Sequence, residues 1–160
     1  MLKEVLLQKI IATLQSDFIL FTQAAQTAHA AATHAECLPD NKYDTTALEA
    51  SYVAQGQANR AQEIRQALES YRSLALRPFA EGAPIRLTAL VMIAGEDGRQ
   101  RQVFLGPSAG GMKVEVAGRE CLVITPESSL GRALLGQCCG DEVEVGDGAV
   151  QKIFTIIEVS

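Results

Sequence analysis

The sequence predicts an α+β protein, with an N-terminal antiparallel helical hairpin of the coiled-coil type followed by an antiparallel β domain with one short helix. Three observations support this fold class. Apolar residues recur at steps of three and four in the first half of the chain, and short strand-like runs replace this pattern in the second half. Between the two patterns, Pro78 and Gly82 mark a boundary. We therefore expect two domains, at residues 1–77 and 78–160.

The first arm of the hairpin is predicted by an uninterrupted heptad pattern. Its apolar positions alternate between steps of four and three, which is typical of a coiled-coil seam. These positions are Leu7, Ile11, Leu14, Phe18, Phe21, Ala25, Ala28, Ala32 and Ala35. The bulky members come first and the alanines last, so we expect the two helices to approach most closely near the turn.

A second series with the same spacing predicts the returning arm. Its members are Ala47, Ala50, Ala54, Gln57, Ala61, Ile64, Leu68, Tyr71 and Ala75. Pro39 stops the first arm, because proline cannot continue a helix interior, and we expect the tip of the hairpin near residues 36–46. Thr46 and Glu49 have the spacing of a capping box, which predicts a helix start. Folding about Asn41 pairs Phe21 with Ala61 and gives arms about 45 Å long.

The second domain is predicted to contain six short strands and one short helix. Runs rich in Val, Ile, Leu and Phe are separated by glycine-bearing turns, which favours a curled antiparallel sheet. The helix fits residues 128–135, with Gly136 as its stop. The predicted strands are residues 85–93, 101–105, 112–116, 120–124, 142–145 and 153–159.

Charge and composition argue against several classes of function. With a net charge of −5, the chain shows no basic face for sequence-independent binding of nucleic acid. Charged residues between Lys3 and Asp17 interrupt the apolar N-terminus, so no stretch approaches the roughly 20 apolar residues of a membrane span, and no signal peptide is evident. The cysteines match no zinc pattern, and we expect reduced thiols and a cytoplasmic protein. They are Cys37, Cys121, Cys138 and Cys139.

The most specific pattern in the chain lies at residues 124–145. It reads ITPESSLGRALLG, followed four residues later by GDEVEV. This segment resembles the Gre transcript-cleavage factors of bacterial RNA polymerase, whose pattern is a strand, then Ser-Pro-Leu-Gly-Arg-Ala-Leu-Leu-Gly, then Gly-Asp-Glu-Val-Glu-Val. Ser129 stands where that family usually has proline. The closing FTIIEV at residues 154–159 is also similar to the family's last strand.

A second segment, at residues 40–58, is similar to the second arm of the Gre hairpin just past its tip. It contains DNKY, LEASY and AQGQA, and the order of hairpin and C-terminal domain also agrees. The resemblance implies an FKBP-like C-terminal fold and docking at the secondary channel of RNA polymerase, with the hairpin inserted towards the active centre. The residues expected to contact the polymerase are Asn41, Tyr43, Ser128, Leu130 and Arg132.

The resemblance also implies chemistry at the tip. In Gre factors two tip carboxylates help to hold a catalytic Mg²⁺ in the polymerase site, where metal-activated water cleaves backtracked RNA. Mg²⁺ prefers carboxylate oxygen, and a site shared by two proteins needs only one or two ligands from each. The candidates here are Glu36, Asp40 and Asp44. The family has an Asp and a Glu three residues apart with Asn after the Glu, so Asp40 before Asn41 matches the second acid, whereas Cys37 replaces the first.

On this interpretation the chain is not an enzyme but a cofactor of the polymerase's own cleavage reaction. It binds no cofactor stably, shares Mg²⁺ with the polymerase, contacts the RNA 3′ end only indirectly, and has no membrane or sequence-specific DNA partner. Three alternatives stay open: a channel-occupying regulator without cleavage, an interaction module for another partner, and a prolyl isomerase. The last is expected to be inactive, since the domain offers only Phe79, Phe104 and Phe154 as aromatic residues. Asp44 has a structural alternative as a helix cap.

Overall fold

The computed structural model describes residues 2–36, 44–146 and 148–160. Two long helices come first, and a six-stranded sheet with one short helix follows, so the predicted α+β fold class is confirmed. The elements are α1 (Leu2–Glu36), α2 (Asp44–Arg72), β1 (Leu90–Gly95), β2 (Gln100–Leu105), β3 (Lys113–Val116), β4 (Arg119–Ile124), α3 (Ser129–Leu134), β5 (Glu142–Val145) and β6 (Lys152–Val159).

The chain divides into two compact units. The helical unit is Ile11–Glu69, and the sheet unit combines Met1–Ile10 with Ser70–Ser160. The sheet unit therefore includes the first turns of α1 and the last residues of α2. The predicted domain limits at residues 77 and 78 follow the change of secondary structure along the chain and stay a prediction.

In the helical unit the fully buried apolar side chains fall mainly on the predicted seam. They are Leu14, Ala32, Ala47, Ala54, Ala61, Ile64, Ala67 and Leu68, of which only Ala67 lies outside the predicted series. The Arg60 guanidinium lies 6.0 Å from the centroid of the Phe21 ring, so α1 and α2 pass each other at this level. This contact agrees with the register that pairs Phe21 with the neighbouring Ala61.

Two predicted limits of α2 need correction. The helix begins at Asp44, two residues before the Thr46 of the predicted capping box. It ends at Arg72, so Ala75 lies beyond the helix and is exposed, although the heptad series runs through it. The periodicity continued past the helix because a single alanine at the right spacing is weak evidence for three more residues of helix.

By length and composition, α1 qualifies as a membrane-spanning helix over Leu2–Thr33. The expectation that no stretch approaches a membrane span is therefore corrected. One such helix is weak evidence, because a helix packed in a water-soluble protein can meet the same criterion.

The Lys9 ammonium donates a 2.7 Å hydrogen bond to the carbonyl of Glu115, and Lys3 donates to the carbonyls of Arg77 and Thr88. These bonds join the first turns of α1 to the rest of the sheet unit.

The sheet has the strand order β3-β4-β2-β1-β6-β5. All neighbours are antiparallel except β2 and β4, which pair in parallel from Gln102–Cys121 to Leu105–Ile124. The prediction of a wholly antiparallel sheet was thus wrong for one pair. The chain leaves β2, skips one strand position to form β3 at the edge, and returns as β4 into the gap. Hydrophobic alternation within each strand carries no information about this order.

The first strand also begins later than predicted, at Leu90 instead of residue 85. Thr88 adopts a φ of 77°, a conformation that no strand residue has and that a β-branched residue rarely adopts. Its hydroxyl accepts a 3.0 Å hydrogen bond from the Arg77 N–H, and its carbonyl accepts one from Lys3. Ile85 meanwhile pairs with the chain after α3, through Gly136 and Gln137. Ile85 is therefore held outside the sheet ladder, whereas Thr88 and Ala89 already share backbone hydrogen bonds with Leu105 of β2.

Both faces of the sheet carry buried side chains. One face packs with α3 into a core of Ile85, Ala89, Val91, Ile93, Val103, Leu105, Ile124, Leu134, Val143 and Ile156. Because strand residues alternate between faces, Phe104 lies on the other side from Val103 and Leu105, and it is fully buried there. The Tyr71 hydroxyl donates a 2.6 Å hydrogen bond to the Ser108 carbonyl. Gly106 lies so close to this ring that a Cβ would come within 2.1 Å of the Tyr71 hydroxyl oxygen.

Candidate functional site

The segment that carries the most specific sequence pattern folds as the end of β4, a tight turn and α3. Ser128 is the N-cap of α3, with φ −69° and ψ 156°. Its hydroxyl donates to the Thr125 carbonyl at 2.7 Å and accepts from the Gly131 N–H at 3.0 Å. The N-cap hydroxyl therefore joins the end of the strand to the first turn of the helix, as capping serines do.

Gly131 is required by the same turn. A Cβ at this position would lie 1.8 Å from the Thr125 carbonyl oxygen and 2.9 Å from Ser128 Oγ. A side chain would force α3 away from the end of β4, so glycine permits this close approach. At the other end, Gly136 stops the helix in a left-handed conformation with φ 82°, and its N–H donates to the Ile85 carbonyl.

Three residues of the segment differ in how far their side chains are exposed to solvent. Ser129 is exposed at the first helical position of α3. Leu130 is half-buried and packs against the core of the sheet unit. Arg132 is exposed in the last turn of α3, and within the described part of the chain its side chain forms no ion pair. Of the predicted contacts on α3, Arg132 alone has a charged side chain that projects into solvent, while Ser128 and Leu130 are engaged within the fold.

The tip residues are described only in part. Glu36 is the last residue of α1 and Asp44 is the first residue of α2, but their side chains lie outside the described structure. Asp40, Asn41 and Tyr43 lie outside the described residues altogether. The roles assigned to these five residues stay predictions.

The described thiols differ in environment. Cys121 is buried on β4, and burial raises the pKa of its thiol to about 12. Cys138 is half-buried, and its N–H donates to the Asp141 carboxylate at 2.8 Å. Cys139 is exposed, and its thiol donates to the Ile157 carbonyl. Cys37 lies outside the described residues. Over residues 2–36, 44–146 and 148–160, no three His, Cys, Asp or Glu side chains come together as a metal site.

The phenylalanines considered for a prolyl-binding pocket do not line one cavity. Phe104 is fully buried, Phe154 packs against the core beside β6, and Phe79 lies beneath the Lys3 ammonium at 4.7 Å from the ring centroid. Burial lowers the pKa of Lys3. The aromatic residues of the sheet unit therefore serve mainly to pack it.

Sequence reasoning missed a cavity of the sheet unit whose lining residues come from separate strands. Arg101 on β2, Arg119 on β4 and Lys152 on β6 line a cavity of about 810 Å³ in the sheet unit. They are far apart in the sequence and belong to no motif, so only the strand order could have indicated that they border one cavity.

Comparisons with known proteins give matches at the level of structure. No family model and no curated protein matches this sequence. The chain is similar to GreA factor homolog 1 (Gfh1) of Thermus thermophilus, with 17% identity over 94% of both chains and a TM-score of 0.40. It is similar to Gfh1 of Thermus aquaticus, with 19% identity over 92% of both chains and a TM-score of 0.41.

A third similar structure is a transcription elongation factor, GreA/GreB, from Nitrosomonas europaea. The identity is 18%, over 87% of this chain and 93% of that chain, and the TM-score is 0.38. At such low identities and TM-scores, these matches do not by themselves assign a function.

Proposed function

We propose that this chain is a Gre-type transcription elongation factor that acts in the cytoplasm and binds bacterial RNA polymerase at its secondary channel. The observation that supports this most directly is the segment at residues 124–136. The residues that match the Gre pattern there have definite physical roles: Ser128 caps α3, Gly131 allows the close approach to Thr125, and Gly136 ends the helix. The residues that match the pattern therefore build one specific turn in this chain, which supports the proposal.

The proposed action lies at the connection between α1 and α2. α1 ends at Glu36 and α2 begins at Asp44, so the connecting residues carry Asp40 between these two acids. Carboxylate oxygens are suitable ligands for Mg²⁺, and one or two of them would complete a site that the polymerase already holds. In this proposal the chain would supply and orient carboxylates for a Mg²⁺ ion bound in the polymerase, whose chemistry there would be the activation of water, and the chain would not catalyse cleavage alone.

The favoured alternative is a channel-occupying regulator that does not stimulate cleavage. The observation behind it is Cys37, which stands where the Gre pattern has an acid. A thiol is a poor ligand for the hard Mg²⁺ ion, so Asp40 would have to act with Glu36 or Asp44 instead. An interaction module for another partner is the remaining alternative.

Docking is assigned chiefly to Arg132. Ser128 uses its hydroxyl within the capped turn, and Leu130 packs against the core, so these two position the surface. The exposed Arg132 guanidinium can pair with a carboxylate through two parallel hydrogen bonds, which favours an acidic docking surface on the partner.

The cleavage proposal is tested with stalled, backtracked polymerase complexes carrying end-labelled RNA. The full-length protein is titrated in the presence of Mg²⁺, and shortened RNA that can be re-extended is the expected result. Asp40→Ala should abolish shortening and keep polymerase binding. Glu81→Ala, which removes an exposed acid in the sheet unit, is the matched control and should retain full activity. Intact RNA with slowed elongation would favour the channel-occupying alternative.

The docking proposal is tested by direct binding to purified polymerase. Arg132→Ala should weaken binding by about tenfold to a hundredfold, because a charge-assisted hydrogen bond contributes on the order of 1.5–3 kcal/mol. Arg86→Ala removes another exposed arginine of the sheet unit and should leave the affinity unchanged. If the wild-type chain does not bind polymerase, the proposal fails and the interaction-module alternative takes its place.

A further inference from the structure

The sheet ends in two edge strands, β3 and β5, whose outer edges are occupied differently. An edge strand presents backbone N–H and C=O groups that have no neighbouring strand, and such groups can pair with another chain. On β3 the Lys9 ammonium donates a 2.7 Å hydrogen bond to the Glu115 carbonyl. A side chain from the first turns of α1 therefore already engages the backbone of this edge strand.

The hydrogen bonds between β5 and β6 show which backbone groups of β5 point outwards. Just before the strand, the Ile156 N–H donates to the Asp141 carbonyl at 2.9 Å. In an antiparallel pair, residues bonded to the neighbouring strand alternate with residues whose N–H and C=O groups point away from it. The register therefore turns the N–H and C=O of Val143 towards β6, and those of Glu142 and Glu144 outwards.

The outward groups of β5 are not occupied by other described residues. Among those residues, no hydrogen bond joins the backbone of Glu142 or Glu144 to any segment outside the pairing of β5 with β6. Both side chains are exposed, and within the same part of the chain neither carboxylate belongs to an ion pair. The outer edge of β5 therefore combines free backbone groups with negative charge.

The two faces of β5 differ in chemistry. Glu142 and Glu144 alternate with Val143 and Val145, so the carboxylates lie on one face and the valines on the other. Val143 is buried in the core of the sheet unit, and Val145 packs against that core. A strand added at this edge would place every second side chain beside the carboxylates and the side chains between them beside the valines. Cationic residues that alternate with apolar residues suit both faces.

The same acids argue against a second copy of this chain as the occupant. Symmetric pairing of β5 with β5 of another copy would bring Glu142 and Glu144 of the two copies opposite one another. Like charges directly opposite across two strands are destabilising, whereas opposite charges are stabilising. The charge of the edge therefore favours a partner strand with lysine or arginine at alternate positions.

We propose that the outer edge of β5 is a docking site for an extended, basic segment of another protein, which adds to the sheet as a further strand. The N–H and C=O groups of Glu142 and Glu144 supply the backbone hydrogen bonds, and their carboxylates select lysine or arginine in the partner. The proposal rests on β5 alone and does not depend on polymerase binding.

The experiment titrates a short fluorescent peptide of alternating lysine and valine with the full-length protein at low salt, followed by anisotropy. One comparator is the same peptide with its backbone amides N-methylated, which keeps the charges and removes the hydrogen-bond donors. The other is a peptide of alternating glutamate and valine. We expect both comparators to bind at least about tenfold more weakly than the lysine peptide. Hydrogen exchange at the amides of Glu142 and Glu144 should slow when the lysine peptide binds.

Charge reversal gives the sharpest test of the edge. Glu142→Lys combined with Glu144→Lys should invert the preference, so that the glutamate peptide binds more tightly than the lysine peptide. The matched control is Glu81→Lys combined with Glu96→Lys, which changes the net charge equally and should leave both affinities within about a factor of two. All four positions are exposed, so these substitutions should not unfold the protein, and melting curves check this.

The proposal is overturned if the lysine peptide does not bind at millimolar concentration or if the charge-reversed edge keeps the wild-type preference. It is also overturned if the N-methylated peptide binds as well as the unmodified one, because charge attraction without an added strand would explain that result. If Glu142→Gln combined with Glu144→Gln self-associates while the wild type binds no peptide, the acids serve only to keep copies of this chain apart.

Discussion

The helical unit and the sheet unit bury apolar surface in different ways. All of the largest fully buried side chains among the described residues belong to the sheet unit, including Tyr71 and Phe104. In the helical unit most buried residues are alanines, and large apolar side chains such as Leu20 and Tyr52 are 61% and 70% exposed. Small residues along a seam allow close helix approach but bury little area, so the helical unit depends more on helix propensity and the sheet unit on packing.

The largest expected effect is in the core of the sheet unit. Phe104→Ala should lower the free energy of unfolding by about 3–5 kcal/mol, because it removes a fully buried aromatic side chain and leaves a cavity. Leu20→Ala, in the exposed part of the helical unit, should change it by less than about 0.5 kcal/mol. Urea denaturation measures both, and equal effects would contradict the contrast between the units.

Alkaline pH should also destabilise the sheet unit. Burial raises the pKa of Cys121 from an ordinary value of 9.0 to about 12, and burial raises the pKa of Tyr71 as well, partly offset by its hydrogen bond to Ser108. Both groups are neutral when protonated, and burial favours the neutral form. Over a range of alkaline pH the folded state therefore keeps these two protons while the unfolded chain has lost them. The stabilisation that the buried, protonated thiol of Cys121 contributes is therefore complete below pH 9 and is lost as the pH rises towards 12.

The loss due to Cys121 alone should be about 1.4 kcal/mol per pH unit, or on the order of 4 kcal/mol over this range. Denaturation measured at a series of pH values tests the prediction, with Cys121→Ala as the matched variant. That variant should have a shallower pH dependence, and an unchanged slope would show that the thiol does not contribute.

Two glycines separate the effect of packing from that of helix propensity. Gly131→Ala should destabilise the protein by about 3 kcal/mol, because its Cβ would collide with the Thr125 carbonyl. Gly56→Ala in α2 meets nothing within 4 Å and should stabilise the protein by up to about 1 kcal/mol. Thermal unfolding of the two variants should therefore shift in opposite directions, and shifts of the same sign would refute the comparison.

The alanine seam of the helical unit is tested by a pair of substitutions in α2. Ala54 is buried and Ala58 is exposed. Substitution of either by glycine should lower the free energy of unfolding by about 1 kcal/mol through the lower helix propensity of glycine. Ala54→Gly should cost about 0.8 kcal/mol more, since it also removes a buried methyl group. Helix content followed by circular dichroism during denaturation measures the difference, and identical costs would argue against a packed seam at Ala54.

The smallest predicted effect concerns Ser129. It occupies the first helical position of α3, where proline is tolerated, and the preceding Ser128 already has the extended ψ of 156° that a following proline requires. Ser129→Pro should stabilise the protein by about 0.4–1 kcal/mol by restricting the unfolded chain. A loss of stability, with Ser129→Ala unchanged, would indicate that the Ser129 N–H has a partner that proline removes.

The position of α3 was predicted closely, and the partner contacts assigned to its residues stay predictions. The helix lies within one residue of the predicted limits, because an N-cap serine and a terminal glycine are local signals. Ser128 and Leu130 were assigned to partner contact, although Ser128 engages Thr125 and Gly131 and Leu130 packs inwards. A sequence pattern does not distinguish a residue that a fold requires from one that a partner requires.

By itself, the sequence determined the order and approximate place of the two long helices and the six strands, along with the α3 turn, because each depends on neighbours within a few residues. Only the tertiary structure decided that β2 and β4 run in parallel and that Thr88 delays the first strand. It alone also decided that the Tyr71 hydroxyl donates to the Ser108 carbonyl and that residues of four strands line one cavity. These features join residues far apart in the chain, and their energies come from contacts that no local periodicity encodes.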